Sequence, residues 1–139
     1  MKRRKGFTLV EIMIVVAIIA LLAAIAISNM LRARVNANET TAQATLKTLS
    51  TAAESFASAN GGNYPTAIAD LTGATPPYIN ENYIGNRQGY TFVYATSTAV
   101  AYLFTAVPIT LGTTGTRSFA ICTGGILREA VGGAAPACP

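Results

Sequence analysis

A single carboxylate, Glu11, lies inside a long run of apolar residues. Between positions 7 and 27 the only other polar side chain is Thr8. A charge held in hydrocarbon is costly unless it is paired, so such a residue usually has a partner and a role. No further ionisable side chain follows until Arg32, too far along a helix to pair with Glu11 in the same chain. A free amine at Phe7 would be a suitable cation. It could act within one chain, or from a staggered neighbour, where it would neutralise Glu11 and set the register of packing.

The rest of the sequence offers little for catalysis. Histidine is absent, which removes the commonest general base and metal ligand. The acidic residues beyond the apolar run, Glu39, Glu54, Asp70, Glu81 and Glu129, are widely spaced. There is no phosphate-cradling or dinucleotide-binding glycine pattern, and no cysteine pair at zinc spacing. No catalytic residue, cofactor or metal site is expected. Asn38-Glu39-Thr40 matches the N-glycosylation sequon, but it falls within a predicted helix and reads as a chance match. The two cysteines, Cys122 and Cys138, are either two reduced thiols or one disulfide. An even count in a chain whose bulk lies outside the cytoplasm points to the disulfide. Closing a loop of about 15 residues is worth roughly 3 kcal/mol in the chain-entropy view.

Charge follows the same division. Of the ten basic residues, Lys2, Arg3, Arg4 and Lys5 stand before the apolar run. The six that remain balance the six acidic residues. A nucleic-acid binder keeps a basic face in its folded part, and this sequence has only scattered Arg and Lys there. The basic cluster reads instead as an orientation signal on the cytoplasmic side of a membrane. Residues 7–27 would span roughly 31 Å as a helix, enough for a bilayer core. That run exceeds the apolar core of a secretory signal, although Ala24-Ile25-Ala26 resembles a signal-peptidase site. A plain signal anchor is the other simple alternative.

Past the anchor, residues 28–59 contain neither Pro nor Gly. Leu31, Val35, Ala42, Leu46, Leu49, Ala53 and Phe56 recur at helical intervals and trace one apolar face. Asn38 interrupts it, and Asn36, Thr40, Lys47, Thr51, Glu54 and Ser58 fall opposite. Anchor and amphipathic stretch read as one helix of about 50 residues, roughly 80 Å long. Asn60-Gly61-Gly62 ends it. A connector follows, with a helical turn near 67–71 and Pro76-Pro77 excluding helix after it. Strand-like runs occur at 90–94, 99–107 and 118–122, with a fourth at 126–128 after Gly124-Gly125. Polar or Gly-containing turns at 96–98 and 111–116 favour an antiparallel meander. Tyr90, Phe92, Tyr94, Tyr102, Phe104 and Phe119 should form its core. Residues 129–139 should be irregular and pinned by Cys138 to Cys122.

The order Lys-Gly-Phe-Thr-Leu-Val-Glu at 5–11, with an apolar helix behind it, resembles the N-terminal signal of type IV prepilins and type II secretion pseudopilins. The resemblance is strongest over 5–60 and looser over 61–121. It implies cleavage after Gly6 by a prepilin peptidase, N-methylation of the new first residue Phe7, and an assembly role for Glu11. It also implies an α+β fold in which a long helix, its first half transmembrane, joins a small antiparallel sheet in a lollipop. The expected parts are a cytoplasmic leader (1–6), a transmembrane and assembly half-helix (7–29) and an amphipathic half-helix (30–60). A connecting loop (61–89), then the sheet and C-terminal loop (90–139), complete the chain. Ser28 stands where many such chains carry a helix-bending proline.

Two filament readings follow from the resemblance. In one, the chain is a type IV pilus subunit serving adhesion, motility or DNA uptake. In the other, it is the major pseudopilin of a type II secretion system, forming a periplasmic fibre. Major pseudopilins carry a calcium site built from acidic residues, whereas the tail here holds only Glu129. The implied partners are further copies of the chain through the N-terminal helices, the prepilin peptidase, an inner-membrane assembly platform and, before assembly, membrane lipid. No nucleic acid is expected. The chain would sit in the inner membrane as a single-pass protein, then in an extracellular pilus or a periplasmic pseudopilus. A membrane-anchored binding module that never polymerises is the alternative from another class.

Overall fold

A computed structural model describes residues 6–138, and of Thr96 and Ser97 the backbone alone. Most of the expected basic leader, residues 1–5, lies outside the described residues. The chain divides into two units, Met1–Ala33 and Arg34–Pro139.

In the first unit, helix α1 begins at Leu9; it runs without interruption to Ala59, 51 residues in all. Its apolar residues before Arg32 are open to solvent, from Leu9 to Leu31. The helix is long and apolar enough to cross a membrane. Its continuity through Ser28 fits the absence of a proline there, since backbone N–H groups are available throughout.

In the second unit, the C-terminal part of α1 packs on a five-stranded antiparallel sheet. Val35, Ala42, Leu46, Leu49 and Ala53 are buried, and Phe56 packs at the edge of the same core. The helix closes as the glycines predict. The Gly62 N–H reaches back to the Ala57 carbonyl at 2.8 Å, with Gly61 and Gly62 both at positive φ. A short helix, α2 (Ile68–Thr72), follows in the connector. It delivers Leu71 to the core, and Ile79 joins it there.

The strands are β1 (Gly85–Arg87), β2 (Tyr90–Thr98), β3 (Ala101–Pro108), β4 (Arg117–Cys122) and β5 (Ile126–Val131), adjacent in sequence order. Alternation drives their side chains into the core: Tyr90 and Phe92 from β2, Tyr102, Phe104 and Ala106 from β3, Phe119 and Ile121 from β4. Tyr94 is partly buried and stacks on Phe104, its cross-strand partner, with ring centres 4.4 Å apart. The aromatic core expected from the sequence is therefore present.

Four boundaries differ from the sequence reading. First, β1 lies within the expected connector. Its three residues carry no apolar alternation and become a strand only by pairing with Tyr90–Phe92 of β2. Second, residues 96–98 are strand rather than turn. The ladder slips between Tyr94 and Thr96 and then resumes, so the turn moves to Ala99-Val100. Third, β5 continues to Val131, past the expected end at 128. Its residues are largely exposed, so burial left no pattern, but its backbone pairs with the whole of β4. Fourth, the second helix runs from Ile68, one residue later than expected.

Candidate assembly site

The N-terminal motif is built around Thr8 and Glu11. The Thr8 backbone N–H donates to Glu11 Oε2 at 2.8 Å, and the Thr8 hydroxyl donates to the same oxygen at 2.8 Å. In return the Glu11 backbone N–H donates to Thr8 Oγ1 at 3.2 Å. This is a reciprocal helix cap: a Thr ahead of the first turn and a Glu three residues later satisfy each other's backbone donors. Thr8 could have been assigned this role from the spacing Thr-x-x-Glu before an apolar run, but sequence reasoning passed it over. The cap makes Glu11 less isolated than its surroundings suggest. It has no cationic partner among the described residues, yet one carboxylate oxygen is already engaged in its own chain. Oε1 takes no hydrogen bond among the described residues and stays open to a donor from outside. Gly6 and Phe7 are exposed immediately before the cap, with Phe7 84% exposed.

In the folded unit, two glutamates of α1 act as ties to the sheet. Glu39 is 3% exposed. It accepts from the Thr116 N–H at 2.8 Å, the Thr116 hydroxyl at 2.7 Å and Arg117 Nε at 2.9 Å. Arg117 Nη2 lies 2.7 Å from the same carboxylate, and Nη1 donates to Glu129 of β5 at 2.9 Å. Burial pushes the Glu39 carboxyl up, but the Thr116 and Arg117 donors together outweigh it and hold the group below its ordinary range. Next to it, Asn38 donates to the Thr114 carbonyl at 2.9 Å. The residue that interrupts the apolar stripe is therefore a fastening to the loop before β4.

Glu54 makes the second tie. It accepts from the hydroxyls of Tyr64 at 3.0 Å and Tyr102 at 2.9 Å, and from the Gly124 N–H at 2.9 Å. Burial, first of all, pushes the Tyr102 phenol up to about 12, and the neighbouring Glu54 adds to this. The sequence reading placed Glu54 on the solvent side of the helix. It is half-buried because the tyrosines that reach it are 10 and 48 residues away in the chain. Nearby, Cys122 of β4 and Cys138 are joined in a disulfide, which holds the C-terminal segment against the sheet.

With this geometry in place, comparison with known proteins adds two findings. Residues 1–27 match a family described as the prokaryotic N-terminal methylation motif. The chain is also 42% identical over 88 residues to the type IV major pilin protein PilA of Myxococcus xanthus (strain DK1622), covering 63% of this chain and 36% of that one. Over its N-terminal segment, the chain is thus similar to type IV pilins. A further pilin relative is the type IV wide pilus major component PilA4 of Thermus thermophilus, 56% identical over 46 residues, or 33% of this chain and 35% of the other. A fimbrial protein of Pseudomonas aeruginosa is 53% identical over 55 residues, covering 40% and 36%. The chain thus spans just over a third of the length of the curated pilins that it matches.

The expected pilin site residues fall in two places. Gly6, Phe7 and Glu11 come together at the start of α1, within the matched motif. Cys122 and Cys138 lie in the folded unit.

Proposed function

We propose that this chain is the precursor of a type IV pilus subunit. A prepilin peptidase cuts between Gly6 and Phe7 and methylates the new Phe7 amine. The processed subunits then leave the lipid and pack side by side through their N-terminal helices. The observation that carries this reading is the exposed apolar first part of α1, which holds one carboxylate near its start with Oε1 open to a donor. Lipid covers such a surface before assembly, and other copies of the same helix cover it afterwards.

A subunit amine reaching Glu11 Oε1 completes the pairing that Thr8 begins. The carboxylate then sits in a low-dielectric bundle with an opposite charge beside it, which offsets the cost of taking it out of water. Glycine at the cut site suits a peptidase cleft because it has no side chain to accommodate. An assembly platform in the inner membrane would extract and stack the subunits. The relatives' names, a major pilin, a wide-pilus component and a fimbrial protein, favour a surface pilus over a periplasmic pseudopilus.

Processing is testable at the cut site. Gly6→Leu is expected to leave the chain uncut in the membrane fraction, seen as a precursor that keeps residues 1–6. Fibres sheared from the cell surface should then lack the chain. Normal processing of that variant, or wild-type cells whose sheared fibres never contain this chain, would count against the reading.

A further inference from the structure

A polar pocket of about 220 Å³ lies between α1 and the β1–β2 hairpin. Asn38, Thr41 and Thr45 line it from the helix; Tyr83, Arg87 and Gln88 line it from the other side. Ala42 and Phe92 add apolar wall.

The hairpin is seated closely on the helix. Its turn residues, Gln88 and Gly89, both have positive φ, 45° and 82°. A side chain on Gly89 would come within 2.8 Å of Asn38 Nδ2 and 2.9 Å of Thr114 Cβ, so only glycine permits this approach. Gln88 is less expected. The first position of such a turn favours Asn, Asp or Gly, and a glutamine there bears backbone strain. It places a long primary amide in the wall of the pocket.

Arg87 is the second unusual feature. Its Nη2 lies 3.1 Å from Glu81, and its guanidinium carbon sits 5.0 Å from the centre of the Tyr83 ring. Nη1 is buried and has no hydrogen-bond partner among the described residues. Buried donors are nearly always satisfied, so an orphaned one needs an explanation. Here the ion pair and the ring hold the guanidinium against the pocket and leave one end of it without an acceptor.

We infer that this pocket binds a neutral sugar of monosaccharide size, with Arg87 Nη1 donating to a ligand oxygen. Nη1 is sealed off as Arg87 now stands, so binding requires its outer torsions to turn Nη1 toward the pocket. Three observations select the class. Arg87 and Glu81 neutralise each other, and the other lining residues are uncharged, so the site has no net charge to balance. A carboxylate or phosphate would bring a second negative charge beside Glu81. The remaining polar groups, the hydroxyls of Thr45 and Tyr83 and the amide of Gln88, can each donate and accept, which matches sugar hydroxyls. The volume is also below the roughly 300–1,000 Å³ of pockets that take drug-sized ligands.

The test uses the full chain in detergent micelles, isotope-labelled and followed by NMR. Glucose, galactose and N-acetylglucosamine are titrated separately, and acetate and phosphate are titrated at matched ionic strength. At least one sugar is expected to shift the Thr45, Arg87 and Gln88 signals saturably. Binding should weaken about fivefold or more in Arg87→Lys and in Gln88→Gly. Gln88→Gly suits the turn better than the native residue, so its loss of binding would not reflect unfolding. Saturable shifts that fall in both variants support the inference. It is overturned if no sugar gives a saturable shift, if both variants bind as well as the native chain, or if acetate or phosphate shifts the same signals as strongly. The pocket lies wholly within the folded unit, so the outcome does not depend on filament assembly.

Discussion

Glu11→Ala is expected to leave membrane insertion intact and to reduce surface fibres to background. The apolar helix alone satisfies the length and hydropathy needed to enter a bilayer, and alanine there only makes it more apolar. Assembly has a different requirement. Apolar helices meeting in lipid gain little from hydrophobicity, since lipid tails are equally apolar; register must come from packing and polar contacts. Glu11 is the sole carboxylate on this stretch, and Oε1 is the oxygen that its own cap leaves open. Glu11→Gln gives a finer reading. The amide oxygen can still accept from Thr8, so the helix start should persist, while the charge that attracts a neighbouring amine is gone. Fibres should therefore fall in both variants, with helix content unchanged in Glu11→Gln. Shearing and immunoblotting report the first, and circular dichroism of the purified chain in micelles reports the second.

Glu39→Ala is expected to destabilise the folded unit by about 2–3 kcal/mol, measured by denaturant unfolding of the full chain in detergent. The mutation removes an acceptor from the Thr116 N–H and hydroxyl and from Arg117. A buried donor left unpaired costs about 1–3 kcal/mol. Breaking a buried ion pair can cost more, but the Arg117 side chain is 38% exposed and keeps Glu129, so the ion-pair part is moderated. The same contacts fix a pH dependence. The Glu39 carboxyl is held below its ordinary value of 4.5 in the folded chain. Its contribution is therefore complete above that value in the unfolded chain, and is lost as pH falls through the lower folded value. Native protein should lose stability on acidification below about pH 4.5, and Glu39→Gln should lose that part of the slope. An identical acid profile in the Gln variant would show that other carboxylates carry it.

These two glutamates mark what the sequence discloses and what it does not. Glu11 stands out in the sequence, whatever its role, because its surroundings are local: one charge in an apolar run is conspicuous. The continuous helix, its glycine stop and the aromatic core were legible for the same reason, since each is a pattern within a few residues. Glu39 and Glu54 were not. Their partners, Thr116, Arg117, Tyr102 and Gly124, lie 48 to 78 residues away, and no periodicity announces such a tie. Asn38 shows the cost of reading a stripe alone, because its interruption of the apolar face is a contact with Thr114. Strand β1 was missed because its three residues are strand only by virtue of Tyr90–Phe92 beside them. The end of β5 was missed because an exposed edge strand has no burial pattern to display.

The central claim is that this chain is cut before Phe7 and built into fibres through the helix that begins there. The most direct measurement is the intact mass and N-terminal peptide of the chain recovered from sheared surface fibres. A subunit that lacks residues 1–6 and begins with methylated Phe7 is the predicted result. A chain that retains the Lys2, Arg3, Arg4 and Lys5 leader, or one that never appears in any fibre, would contradict it.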